Sequence, residues 1–111
     1  MSDWIEIGRL SDIPRRGARC VNTSSGRIAI FRTMVDQVFA IDNRCAHKGG
    51  PLSEGIVHGG SVTCPLHNWV YDLETGEAQG ADEGRVRTYA VEVVDGRIFM
   101  APDIALVAAG Q

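Results

Sequence analysis

Two pairs of residues in the middle of the chain have the types and spacing to do chemistry together. Cys45 and His47 form a Cys-x-His motif, and Cys64 and His67 form a Cys-x-x-His motif. Thiolate and neutral imidazole are favoured ligands for transition metals, and each short loop offers one of each. Sixteen residues lie between His47 and Cys64, with Gly and Pro turn signals among them. That is enough chain to leave one loop, reverse, and return beside it. The spacing predicts one metal site assembled from both pairs.

The ligand chemistry narrows the metal. A two-iron, two-sulfide centre needs two protein ligands on each iron, and a Cys and a His in each loop suit a set that straddles two metals. Two ferric ions, two sulfides, two thiolates and two neutral imidazoles sum to about zero, against about −2 with four thiolates. Adding an electron to the neutral centre is easier, so its potential lies above that of an all-Cys centre. A structural zinc can also use two Cys and two His, but common zinc modules pair Cys with Cys and His with His. A catalytic Cys–His pair leaves the matched second pair unexplained.

The elements that must position these residues read as short strands. At 111 residues the chain is expected to form one small domain with a single modest core. Trp4–Ile7, Arg19–Thr23, Arg27–Arg32, Val38–Ile41 and Asn68–Tyr71 are β-branched or aromatic runs broken by turn residues. Ser11–Gly17 reads as loop, Asp36-Gln37 as a turn, and Leu73–Gly76 as a turn in which Gly76 supplies positive φ. Arg87–Val94 and Arg97–Met100 form a hairpin through Asp95-Gly96, the strongest short hairpin signal in the chain. No stretch has a helical period. The fold class is therefore all-β, a small sandwich or barrel of antiparallel strands from which the ligand segment is an excursion.

The net charge of −3 argues against nucleic acid or an anionic membrane as partner. The N-terminal residues lack the basic start and apolar run of an export signal, and no apolar segment approaches spanning length. With two cysteines in the ligand pattern, Cys20 stands alone and no disulfide framework is expected. The expected compartment is the reducing cytoplasm. Cys20, Trp4 and Phe39 read as core, and His58 as a turn or surface residue. Arg44, Lys48 and Glu54 read as solvated charge that flanks the site.

The motif Cys45-Ala-His47, sixteen residues, Cys64-Pro-Leu-His67 resembles that of the Rieske iron–sulfur family. Its flanks, Cys45–Gly55 and Cys64–Gly80, followed by Arg87-Thr-Tyr89 and Asp95-Gly96, are similar to the small subunits of bacterial assimilatory NAD(P)H-dependent nitrite reductases. The resemblance implies a single Rieske domain over 1–111, with a cluster-binding subdomain at about 43–81 and a tail at about 103–111. It implies a [2Fe-2S] cluster with Cys45 and Cys64 on one iron and His47 and His67 on the other. It also implies Tyr71 and Trp69 beside the cluster, where high-potential relatives carry a Tyr and a Ser that donate hydrogen bonds. One donor fewer predicts a potential near the low end of the family's range, roughly −150 mV. Gly50 and Leu66 stand where some relatives carry a disulfide that clamps the two loops.

By the same resemblance the chain is an electron-transfer subunit without a catalytic site of its own. Its partner would be a large nitrite reductase subunit carrying sirohaem and flavin, serving nitrite reduction to ammonium in nitrate assimilation. The alternatives are a Rieske ferredoxin of a ring-hydroxylating dioxygenase, and a cluster-free structural subunit with the same fold. All four ligands are present, which speaks against the last.

Overall fold

The computed structural model describes residues 4–23, 26–44, 51–65, 69–79 and 84–101. Among the described residues ten strands make three antiparallel sheets. The outer sheet is ordered β1-β10-β9, from Ile5–Arg9, Arg97–Met100 and Val91–Val94. The middle sheet is β2-β3-β4-β8, from Ala18–Thr23, Gly26–Arg32, Val38–Asp42 and Thr88–Tyr89. A third sheet, β5-β6-β7, uses Ile56–His58, Ser61–Thr63 and Val70–Asp72. Leu10–Asp12 and Leu52–Glu54 are single 3-10 turns, and the described residues contain no α-helix.

The layering follows from β3. Ile28, Ala29, Ile30 and Phe31 are each no more than 1% exposed, so this strand is buried on both faces. Side chains alternate along a strand. Ile28 and Ile30 join Ile7 of β1 and Ile98 and Met100 of β10 in one apolar cluster. Ala29 and Phe31 join Val57, Val62 and Tyr71 of the third sheet in the other. β4 divides the same way, with Ala40 in the first cluster and Ile41 in the second. The middle sheet is thus a shared wall, with the outer sheet on one face and the third sheet on the other.

Most predicted strands and turns are present. Asp95 and Gly96 have φ of 51° and 76°, and Val94 pairs with Arg97, as a two-residue hairpin with two left-handed positions requires. Gly76 has φ of 78°, and a Cβ there would lie 2.2 Å from Val86 O. One predicted strand is corrected: Arg87–Val94 is broken at Ala90, with β8 pairing to β4 in the middle sheet and β9 to β10 in the outer sheet. A chain that passes from one layer to the next must leave the first ladder before it joins the second. Strands β5 and β6 and both 3-10 turns were not expected from sequence. No helix among the described residues is long and apolar enough to cross a membrane.

Candidate iron–sulfur centre

The third sheet brings the described flanks of the two Cys/His segments to one place. Its central strand β6 ends at Thr63, so Cys64 is the next residue. Thr63 pairs with Ile56 at the start of β5 and with Val70 at the start of β7. The end of the first segment, the start of the second and the return of the second therefore lie side by side at one end of this sheet. Of the four ligands expected from sequence, Cys64 is described; Cys45, His47 and His67 lie outside the described residues, as does Lys48.

Cys64 is fully buried, in the cluster that also holds Leu52, Val57, Val62, Tyr71 and Leu73. Its backbone N–H donates to Trp69 O at 2.6 Å, which closes the base of the loop that contains His67. The first loop is closed at its base as well: Ser53 N–H donates to Asn43 Oδ1 at 2.7 Å. Gly55 N–H donates to Leu52 O at 2.9 Å and turns the returning chain into β5. A Cβ on Gly55 would lie 2.2 Å from Thr63 O, so the returning limb passes close against β6 just before Cys64. Glycine is needed there for space rather than for its dihedral freedom.

The two aromatic residues expected beside the site pack in the same core as Cys64. Tyr71 is fully buried in the same cluster as Cys64, and Trp69 packs against that cluster half-buried. Their ring centroids are 6.4 Å apart and tilted by 39°. Trp69 serves the loop through its carbonyl oxygen, a contact that side-chain identity does not reveal. The cluster-side wall is reinforced by Arg16, whose Nε donates to Val57 O at 2.9 Å on β5. Arg16 itself has φ of 62°, a left-handed position unusual for a non-glycine residue.

Other expectations sort themselves around this site. His58 is exposed, and its Nε2 is hydrogen-bonded to Thr63 Oγ1 at 2.7 Å. Arg44 and Glu54 are exposed. Trp4 and Phe39 are only half-buried, Phe39 packing against the cluster-side core. Cys20 is likewise half-buried rather than sealed in the core, because its Sγ faces Asn43, whose Nδ2 donates to it at 3.2 Å. Asn43 was not singled out by the sequence. An Asn at a strand end two residues before Cys45, a ligand expected from sequence, is the signal that points to it, since Asn side chains close loops by bonding backbone groups.

A buried thiol beside two loops closed at their bases, with an alternating Cys/His donor set, fits a two-iron cluster. The family model of the Rieske-like [2Fe-2S] domain matches residues 3–101. The anthranilate 1,2-dioxygenase ferredoxin subunit of Burkholderia cepacia is 32% identical over 99 residues, covering 88% of this chain and 91% of that one. Among solved structures, the ferredoxin of carbazole 1,9a-dioxygenase from Nocardioides aromaticivorans IC177 superposes with a TM-score of 0.79 at 26% identity, covering 89% of this chain and 97% of the other. A candidate NADH-dependent nitrite reductase small subunit from Mycobacterium tuberculosis gives the same TM-score of 0.79 at 22% identity, covering 95% and 96%, a likeness of fold. With a fold of this kind and a family match along nearly its whole described length, the chain belongs to the Rieske-like [2Fe-2S] domain family, and its cofactor is a Rieske-type cluster.

Proposed function

We propose that this chain, a single domain with its cluster-binding subdomain at about 43–81, is the ferredoxin component of a ring-hydroxylating oxygenase system. In this reading it delivers single electrons in the cytoplasm to a larger terminal oxygenase. The observation that carries the reading is the B. cepacia ferredoxin subunit, above 30% identical and matched along about nine-tenths of both chains. Cys45 and Cys64 hold one iron and His47 and His67 the other, with Tyr71 and Trp69 beside them. The cluster supplies reversible one-electron storage. The protein's part is to keep the thiolates away from water, to hold both loops at fixed separation, and to leave the site accessible to a partner.

A second reading is the small subunit of an NAD(P)H-dependent nitrite reductase, with a large sirohaem and flavin subunit as partner. The flanking residues Cys45–Gly55 and Cys64–Gly80 favour it, and the M. tuberculosis neighbour is consistent with it in fold. Affinity purification of the native complex separates the two. Co-purification of an oxygenase subunit supports the first reading, and co-purification of a large sirohaem protein replaces it with the second. In either system the expected reduction potential is roughly −150 mV. A redox titration that returned a value well above zero would refute that expectation.

A further inference from the structure

Asn43 stands where β4 leaves the middle sheet, two residues before Cys45. Its polar groups reach three separate segments. The backbone N–H donates to Arg27 O at 3.0 Å, beside the start of β3. The side-chain Nδ2 donates to Cys20 Sγ at 3.2 Å on β2. The side-chain Oδ1 accepts from Ser53 N–H at 2.7 Å, in the 3-10 turn where the first ligand loop returns. Cys20 belongs to the cross-strand row Cys20–Ala29–Ile41, whose Ala29 and Ile41 face the cluster-side core. One planar carboxamide thus ties the departing limb of the loop to its returning limb, and both to the shared wall.

We infer that Asn43 is a positioning residue for the iron–sulfur cluster: its carboxamide fixes the mouth of the Cys45/His47 loop before metal binds. The inference rests on the reading of Cys45 and His47 as ligands. The chain lacks the cysteines at Gly50 and Leu66 that would clamp the loops covalently, and the Asn43 bridge restrains the first loop at its base instead. Groups that hold ligands in place tune both the retention and the electronic structure of a metal centre. A bridge between two half-buried groups also holds its limbs together between ligand exchanges, so its removal speeds loss of metal.

The test compares Asn43→Ala, Asn43→Asp and Cys20→Ala with wild type and with Cys45→Ala. Iron content, chelator-driven iron release from the oxidised protein, EPR g values of the reduced protein and apo-protein melting temperature are measured on each. Asn43→Ala is expected to release iron at least about fivefold faster and to shift the g values. Asn43→Asp keeps an acceptor for Ser53 N–H but loses the donor to Cys20, so its release rate falls between Asn43→Ala and wild type. Cys20→Ala should match Asn43→Asp. Where Asn43→Ala does not accumulate, Asn43→Asp carries the test. Wild-type release and g values in the Asn43 variants overturn the inference, whatever happens to the melting temperature, because a merely structural role moves only the latter. A full iron complement in Cys45→Ala would instead sink the ligand reading beneath it.

Discussion

The two faces of the middle sheet are built by different means. Toward the outer sheet, the core is Ile7, Ile13, Ile28, Ile30, Ala40, Tyr89, Ile98 and Met100, mostly aliphatic chains from strands joined in antiparallel ladders. Toward the third sheet, strands are three residues long, a cysteine and a tyrosine are fully buried, and the returning loop passes within contact of β6 at Gly55. The first face is held by area removed from water, at about 25 cal/mol per Å² of apolar surface. Both carry directed contacts: Arg32 to Leu10 O and Ile13 O and Arg19 to Ile7 O beside the first, and Asn43 to Ser53 and Cys20, Cys64 to Trp69, and Arg16 to Val57 on the second. A core made of area tolerates small changes of shape, whereas one made of close backbone approaches does not. Cys64 lies on the less forgiving face.

The sharpest way to break this contrast is a pair of glycine substitutions. Gly55→Ala puts a Cβ 2.2 Å from Thr63 O and 3.0 Å from Val62 Cγ2, so backbone must move. It is expected to cost about 3 kcal/mol and to impair iron incorporation. Gly96→Ala meets open space but keeps φ of 76°, and is expected to cost about 1 kcal/mol with iron content unchanged. Denaturant titration with iron analysis reads both, and equal iron loss in the two variants would erase the distinction.

Next in size is a matched truncation on opposite faces. Leu52 and Ile98 are both at most 2% exposed, one in each core. Shortening either to Ala is expected to cost about 3 kcal/mol. Only Leu52→Ala should also accelerate iron release, since Leu52 anchors the turn where the first loop returns. Fast release from Ile98→Ala would mean that the faces are not separable.

The smallest effect lies at the β3–β4 turn, which serves neither core. The Arg15 side chain, bonded to Asp36 at 3.0 Å, and after it Arg32 hold the Asp36 carboxyl below its usual range. A carboxyl whose folded value is depressed stabilises the fold above its unfolded value, and that contribution is lost as pH falls through the lower folded value. The melting-temperature gap between wild type and Asp36→Asn should therefore be constant from neutral pH down to about 5 and close below about 4. The pair is exposed, so the gap is small, and iron content should not follow it. A gap that widens with acid would reverse the sign.

The same contrast governs what sequence could foretell. On the outer face, turn chemistry is local: Asp95-Gly96 and the alternation in Arg97–Met100 specify a hairpin on their own. The expected ligand set rests on residue type and spacing, and three of its members lie outside the described residues. Strands β5 and β6 of the third sheet were not legible. Three residues of Ile56–His58 are too few to display a period, and Gly55 matters through a neighbour eight positions away. The break at Ala90 leaves no mark in a continuous β-prone run, because it reflects which layer each half joins. The partners of Asn43 come from β2 and from the Leu52–Glu54 turn, neither of which its own neighbourhood predicts.

The pairing of β1 with β10 has a consequence for how the chain assembles. Ile5 is registered with Met100, so the first described strand must find the last across almost the whole chain. By contrast β2, β3 and β4 follow one another as hairpins, and so do β5, β6 and β7. Contacts between distant segments form late, because closing a long loop costs entropy before it returns any contact. During synthesis, when domains form from the N-terminus onward, the strands on the cluster side can pair while β10 is still unmade. Ile28 and Ile30 then face water until the last strand arrives. The nascent chain is thus most vulnerable to misassociation on the face that the outer sheet covers.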